Sequence, residues 1–269
     1  MKQILAEPFA RLWQDRDAFA AVRALEGQVF RELEGRRTLR TEVAGRGYFV
    51  KLHQGIGWSE IAKNLLQLRL PVLGAGREWR ALQQLHAAGV PTMQAVAFGE
   101  RGLNPARQQS FIITEELAPA LSLEELALGQ GAAAPGPAFR RVLVAAVAQL
   151  VRVMHQAGVN HRDCYLCHIL LLEPDAPESR RTPRLALIDL HRAQIHHHLP
   201  RRWRDKDLAG LYFSALEVGL SRRDALRFLR GYFCQPLRQL LGENARLLRW
   251  LERRARQLLE RKQRYGGQL

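Results

Sequence analysis

The chain has 269 residues, of which 47% are apolar and 25% charged, the profile of a soluble globular protein, which excludes a disordered or fibrous one. At this length roughly three quarters of the unfolded surface can be buried, enough for a substantial core in one unit of two lobes. Against 26 Asp plus Glu stand 41 Lys plus Arg, for a net charge of +15, so anionic partners are expected: anionic lipid, nucleic acid or an acidic protein. Arg dominates that excess, and its planar fork suits phosphate and carboxylate.

Residues 1–26 carry Leu12, Trp13, Phe19 and Val22 among charged neighbours and read as a docking strand or short helix. From Val29 the pattern turns strand-like, in Val29–Glu34, Thr38–Val43 and Tyr48–His53. Turns at Gly35-Arg36-Arg37 and Ala44-Gly45-Arg46-Gly47 make these an antiparallel meander. Lys51 lies inside the third strand, where a charge needs a partner or a cleft. It reads either as a phosphate-binding lysine or as an edge-strand lysine in solvent.

Residues 58–70 form an amphipathic pattern with Ser59 as cap, Pro71 as stop and Ile61, Leu65 and Leu68 on one face. Such a helix either packs on the core or lies on an anionic membrane. In the next helix Trp79, Leu82 and Leu85 make the stripe and Gly89 the C-terminal cap. Glu78, in its first turn, is either an acid favoured by the helix dipole or the partner of the lysine. Val96–Phe98 and Phe111–Leu117 complete a five-stranded sheet with one main helix, the last strand running into a hinge. The expectation is therefore α+β, a protein-kinase-like two-lobed fold: a small antiparallel-sheet lobe over 1–117 and a mostly helical lobe over 118–269.

After a Gly, Ala and Pro connection, Phe139–Ala157 carries Leu143, Val147, Leu150, Val151 and Met154 at helical spacing and is closed by Gly158. It delivers the chain to Asn160-His161-Arg162-Asp163. Ile169–Leu172 and Leu185–Ile188 read as a hairpin that brings Asp163 and Asp189 to one cleft. Moving a phosphoryl group from ATP to a hydroxyl needs a carboxylate to take the hydroxyl proton and another to hold Mg2+ on the phosphates. Asp163 stands where protein kinases place the base, and Asp189 where they place the metal ligand. Two positions depart from that pattern: His168 replaces Asn, and Asp-Leu-His replaces Asp-Phe-Gly. Asp207, ahead of an apolar helix, either braces the loop backbone or is a helix-start acid. The last helix, about Asn244 to Arg264, reads as a basic solvated face over a packed stripe.

Cys164-Tyr165-Leu166-Cys167-His168 also has the letters of a haem-attachment motif, and its cysteines could hold zinc, but a second ligand pair is not evident and both read as structural thiols. His196-His197-His198 reads as a solvated loop. No nucleic-acid module is recognisable, so no nucleic-acid partner is expected. No apolar run approaches about 18 residues, so no spanning helix is expected. The odd count of 3 Cys and the lack of a signal-peptide pattern point to a reducing cytoplasm.

With these pieces placed, the chain resembles the lipopolysaccharide core heptose (I) kinases, bacterial enzymes that phosphorylate the first heptose of the inner core. The resemblance runs from about Phe30 to Arg230. It is carried by Phe30-Arg31-Glu32-Leu33-Glu34, Pro71-Val72-Leu73-Gly74-Ala75, Arg77-Glu78-Trp79, Asn160-His161-Arg162-Asp163-Cys164-Tyr165, Ile188-Asp189-Leu190-His191-Arg192 and Pro200-Arg201-Arg202-Trp203-Arg204-Asp205-Lys206-Asp207. That family is similar in fold to protein kinases. Its matching positions imply Lys51 as the ATP lysine, Glu78 as its partner, Asp163 as base and Asp189 as Mg2+ ligand. His168 either joins the metal or orients Asp163 or the hairpin, since magnesium prefers oxygen ligands. The implied acceptor is a heptose hydroxyl on an anionic glycolipid, held by Arg36, Arg40, Arg192, Arg201, Arg202 and Arg204. The charge also suits an acidic protein partner such as an acyl carrier protein. The expected place is the cytoplasm, with peripheral contact at the inner membrane. The competing expectations are a kinase for another sugar, a metabolite or a protein hydroxyl, and a kinase-fold module that binds without turnover.

Overall fold

Period-two alternation in the N-terminal part becomes an antiparallel sheet in the computed structural model, which describes residues 1–33, 35–55, 57–66 and 74–264. The elements there are β1 (Lys2–Leu5), α1 (Phe9–Leu12), α2 (Ala18–Arg23), β2 (Gln28–Leu33), β3 (Arg36–Val43), β4 (Arg46–His53), α3 (Gly57–Leu66), α4 (Gly76–Ala87), β5 (Ala95–Arg101) and β6 (Gln109–Glu115). The sheet has six strands rather than five, in the order β1-β5-β6-β4-β3-β2. The sixth is β1, whose four residues pair with β5; so short a segment shows no alternation to read. The β3–β4 turn shrinks to Ala44 and Gly45, both with positive φ (51° and 74°), a tight hairpin whose twist matches the flanking strands.

On β4, Tyr48, Val50 and Leu52 enter a core cluster with Phe9, Trp13, Phe19 and Val22. Edge-on ring contacts at 5.1 Å, Phe9 on Tyr48 and Phe19 on Phe111, lock α1 and α2 onto that face. Leu12 is exposed. α3 starts at Gly57, so Ser59 sits inside the helix instead of capping it. Ile61 is buried there, while Trp58 and Leu66 are exposed. Leu68, Arg69 and the Pro71 stop, like Glu34 of the first strand, lie outside the described residues.

The chain divides into two compact units, one of Met1–Gln83, Met93–Leu117 and Leu190–Arg192, the other of Gln84–Thr92, Ala118–Asp189 and Ala193–Leu269. The second unit holds β7 (Ala120–Ser122), α5 (Leu123–Ala127), α6 (Pro137–Gln156), β8 (Val159–Asn160), β9 (Ile169–Leu172), β10 (Leu185–Leu187), β11 (Gln194–Ile195), α7 (Arg201–Glu217), α8 (Arg222–Phe233), α9 (Leu237–Glu243) and α10 (Ala245–Arg264). α6 buries Leu143, Val147, Leu150, Val151 and Met154, and Pro137 opens it at the position where a missing N–H costs nothing. Gly158 ends the approach to the His161 loop with φ 76°, and a Cβ there would collide with the His196 carbonyl. The hairpin forms as β9 with β10, Leu187 opposite Ile169, and β7 adds a third strand. α8 packs on α6, and α10 packs on α7. Between the helices of this unit lies a mostly apolar pocket of about 660 Å3, open on one side, with Leu126, Leu143, Val147, Leu208, Leu211 and Leu251 in its wall.

Candidate active site

In the first unit the strand pleat decides where Lys51 points. Its neighbours Val50 and Leu52 take the core face, so Lys51 takes the other. β4 lies between β3 and β6 and is not an edge, which removes the solvent-facing reading of this lysine. Lys51 Nζ stands 2.8 Å from Glu78 Oε1, in the first turn of α4. Glu78 is 1% exposed, and its Oε2 has no hydrogen-bond partner among the described residues. Trp79 stacks on Phe98 with ring centroids 4.9 Å apart, which pins α4 to the sheet beside that glutamate. Two residues further along β4, His53 is held neutral by burial and by the charges of Arg36, Lys51 and His191, its pKa driven down to about 3.

In the second unit Asp163, His168 and Asp189 come together. His168 Nδ1 lies 2.7 Å from the Asp163 carbonyl oxygen, and its Nε2 is 3.8 Å from Asp189 Oδ2. The Ile188 N–H donates to the His168 carbonyl at 3.0 Å. The His161 ring is fully buried and stacks on His168 at 5.6 Å. Burial lowers its pKa, and with Nε2–H donating to the Ile188 carbonyl at 2.9 Å it is a neutral ring. One imidazole pair thus ties the residue before Asp189 to the loop of Asp163. Arg162 and Asp189 both have positive φ, 73° and 59°, uncommon for residues with a Cβ and costing about 1–3 kcal/mol each.

α7 supports that loop from below with Asp207, Gly210 and Ser214, which share one face at i, i+3 and i+7. Asp207 accepts from the backbone N–H groups of His161 (2.6 Å) and Arg162 (2.8 Å), and Ser214 Oγ accepts from Leu166 N–H (3.0 Å). A Cβ on Gly210 would come within 3.2 Å of the Cys164 carbonyl oxygen. Asp207 therefore braces the loop, from the second turn of the helix and not from its start. Behind it His155 stands 3.3 Å from Asp207 and 2.6 Å from the Tyr232 hydroxyl, all three buried. His155 and Tyr232 escaped the sequence reading, because inside helices they look like ordinary core positions.

Magnesium takes oxygen ligands and, when it arrives on a nucleotide, keeps mostly water and phosphate around it. Among the described residues no three His, Cys, Asp or Glu side chains stand together as a cage. Asp163 and Asp189 bring carboxylates, the ligand type such an ion takes, to the two segments that His168 joins. Cys164 is buried and Cys167 partly so, and burial pushes both thiols up, Cys167 to about 11, which suits inert structural thiols. His196 leaves the solvated loop expected for it and lies 2.9 Å from Asn160 Oδ1. Arg40 grips Glu116 with two bonds of 2.7 Å, and Arg204 grips Asp205 at 2.7 Å. Arg201 and Arg202 are exposed at the start of α7, and Arg192 is half-buried.

The pattern of the lipopolysaccharide kinase (Kdo/WaaP) family matches residues 20–232. Over the whole of both chains the sequence is 63% identical to the lipopolysaccharide core heptose(I) kinase WaaP of Pseudomonas aeruginosa. It is 52% identical to the protein of the same name from Escherichia coli K12, over 97% of this chain and 98% of that one. A solved structure of WaaP in complex with acyl carrier protein matches with a TM-score of 0.83 at 57% identity, covering 96% of this chain and 99% of that one. The expected protein-kinase-like α+β fold, a sheet-based unit and a mostly helical one, is the fold found.

Proposed function

The chain belongs to the lipopolysaccharide kinase (Kdo/WaaP) family, and on that footing we propose that it transfers the terminal phosphoryl group of ATP to a hydroxyl of the first heptose of the lipopolysaccharide inner core. One observation carries the choice of acceptor: the full-length 63% identity to a protein named heptose(I) kinase. Asp163 takes the proton of the attacking hydroxyl, and Lys51, oriented by Glu78, neutralises phosphate oxygens. Asp189 holds the magnesium ion, whose chemistry when bound is to neutralise charge on the transferring phosphates. His168 serves as a brace, since its Nδ1 is spent on the Asp163 carbonyl at 2.7 Å and nitrogen is a poor ligand for magnesium.

A partner follows from three features taken together. The relative of known structure was solved with acyl carrier protein, this chain carries a net charge of +15, and its helical unit has a mostly apolar pocket of about 660 Å3 that opens to solvent. We infer that an acyl-loaded carrier protein docks by charge and places its acyl chain in that pocket. No helix among the described residues is long and apolar enough to cross a membrane. The enzyme works at the cytoplasmic face of the inner membrane, where ATP meets a lipid-linked acceptor.

The test is phosphate transfer from ATP to purified inner core, read by mass spectrometry, with Asp163→Asn, Lys51→Met and Asp189→Ala beside the parent. Gain of one phosphate on heptose by the parent alone is expected. Transfer to another sugar, or turnover surviving in Asp163→Asn, would overturn the reading.

A further inference from the structure

Two separate elements deliver three cations to one indole. Arg162 comes from the loop that carries Asp163, Arg202 and Lys206 come from the start of α7, and all face Trp203. Their charged groups stand 5.7 Å (Arg162), 5.0 Å (Arg202) and 4.5 Å (Lys206) from the ring centroid. Burial lowers the Lys206 pKa, and the charges of Arg162, of Arg254 in α10 and of Arg202 lower it further.

Several cations of this unit are matched by acids: Arg204 with Asp205 (2.7 Å), Arg227 with Asp224 (2.7 Å), Lys262 with Glu217 (2.7 Å) and Arg256 with Glu252 (2.8 Å). Among the described residues Arg202 and Lys206 have no carboxylate partner. α7 itself has no acid in its first turn, and Pro200 offers its N–H groups no side-chain cap, so the helix dipole adds positive potential at the same place. One indole face rewards one cation by about 0.5–2 kcal/mol and does not account for several crowding it. An incoming oxyanion does, by relieving their mutual repulsion.

Building on the heptose kinase reading, we propose that Arg202, Trp203 and Lys206, with Arg162, form an oxyanion subsite for the acceptor. It holds a carboxylate or phosphate substituent on the saccharide beside the heptose that is phosphorylated. Arg162 immediately precedes Asp163, so an anion seated on the cluster anchors the acceptor next to the proposed base. Arg204, committed to Asp205, belongs to the scaffold of this subsite and not to its lining.

The experiment pairs Arg202→Gln/Lys206→Gln with the parent on native acceptor, on carboxyl-reduced acceptor and on dephosphorylated acceptor. On native acceptor the double variant is expected to raise the acceptor KM about tenfold or more, with kcat and the ATP KM within about twofold. The parent on whichever stripped acceptor has lost the recognised group should show the same rise, which separates carboxylate from phosphate. Lys206→Arg should keep the parent's KM, and matching thermal unfolding of the variants shows that the fold is intact. An unchanged acceptor KM, or an ATP KM that rises in step, overturns the proposal. Calorimetric titration of the acidic core saccharide lacking heptose, without nucleotide, gives a readout that needs no turnover. Binding that weakens in the double variant while the parent phosphorylates no heptose would sink the kinase reading and leave the subsite standing. Normal phosphorylation with no such binding would do the reverse.

Discussion

Lys51 and Glu78 make a buried ion pair, 19% and 1% exposed at the side chain, and such pairs are costly to break from one side. Lys51→Met leaves a carboxylate in the interior without its counter-charge and is expected to cost about 3–5 kcal/mol, whereas Lys51→Met/Glu78→Leu should recover much of that loss. Both variants should be inactive, so chemical denaturation separates the structural role of the pair from its chemical one. Recovery of neither stability nor cooperative unfolding in the double variant would contradict this account. His53 provides a pH signature in the same unit. Its folded pKa of about 3 lies below the usual 6.5, so between those values the unfolded chain binds the extra proton. The stabilisation is complete above about pH 6.5, fades as pH falls toward 3 and amounts to at most a few kcal/mol. His53→Gln should therefore flatten the fall of Tm between about pH 6.5 and 5, where few carboxylates titrate. An identical slope in both proteins would dismiss the effect.

α7 is the element on which the Asp163 loop depends. Its buried face carries Asp207, Gly210 and Ser214 among leucines, which is why hydrophobic periodicity describes it poorly. Asp207→Ala strands the buried N–H of His161 and the partly buried N–H of Arg162, and removes the acceptor beside His155. The expected cost is about 2–4 kcal/mol in stability, with kcat reduced far more than either KM, because the loop that positions the proposed base loses its anchor. Ser214→Ala removes one bond, to Leu166 N–H, and should cost about 1 kcal/mol with a small change in rate. A drop in kcat as large for Ser214→Ala as for Asp207→Ala would show that the bracing is not specific to Asp207.

For the molecule as a whole, charge and cavity together make a testable pair. An acyl-loaded carrier protein at a hundredfold over its Kd should stabilise the kinase by about 2.7 kcal/mol, visible as a raised Tm. The unloaded carrier should do less, since nothing enters the apolar cavity, and added salt should weaken both by screening the +15 charge. Equal stabilisation by loaded and unloaded carrier would leave the cavity without its acyl chain. Local pattern was enough to read the β2–β3–β4 meander, the α4 and α6 stripes, the β9–β10 hairpin and the two carboxylates of the His161 and Ile188 segments. Each of these is set by side chains a few residues apart, whose period and turn chemistry survive in any short window. Four features needed the folded chain: β1 as a sixth strand, the interior place of β4 that turns Lys51 toward Glu78, the support of Asp207 by His155 and Tyr232, and the gathering of cations on Trp203. Each joins residues distant in the chain or facing one another across a sheet. Only packing determines such partners, because many chain segments present the same side chains and burial selects among them.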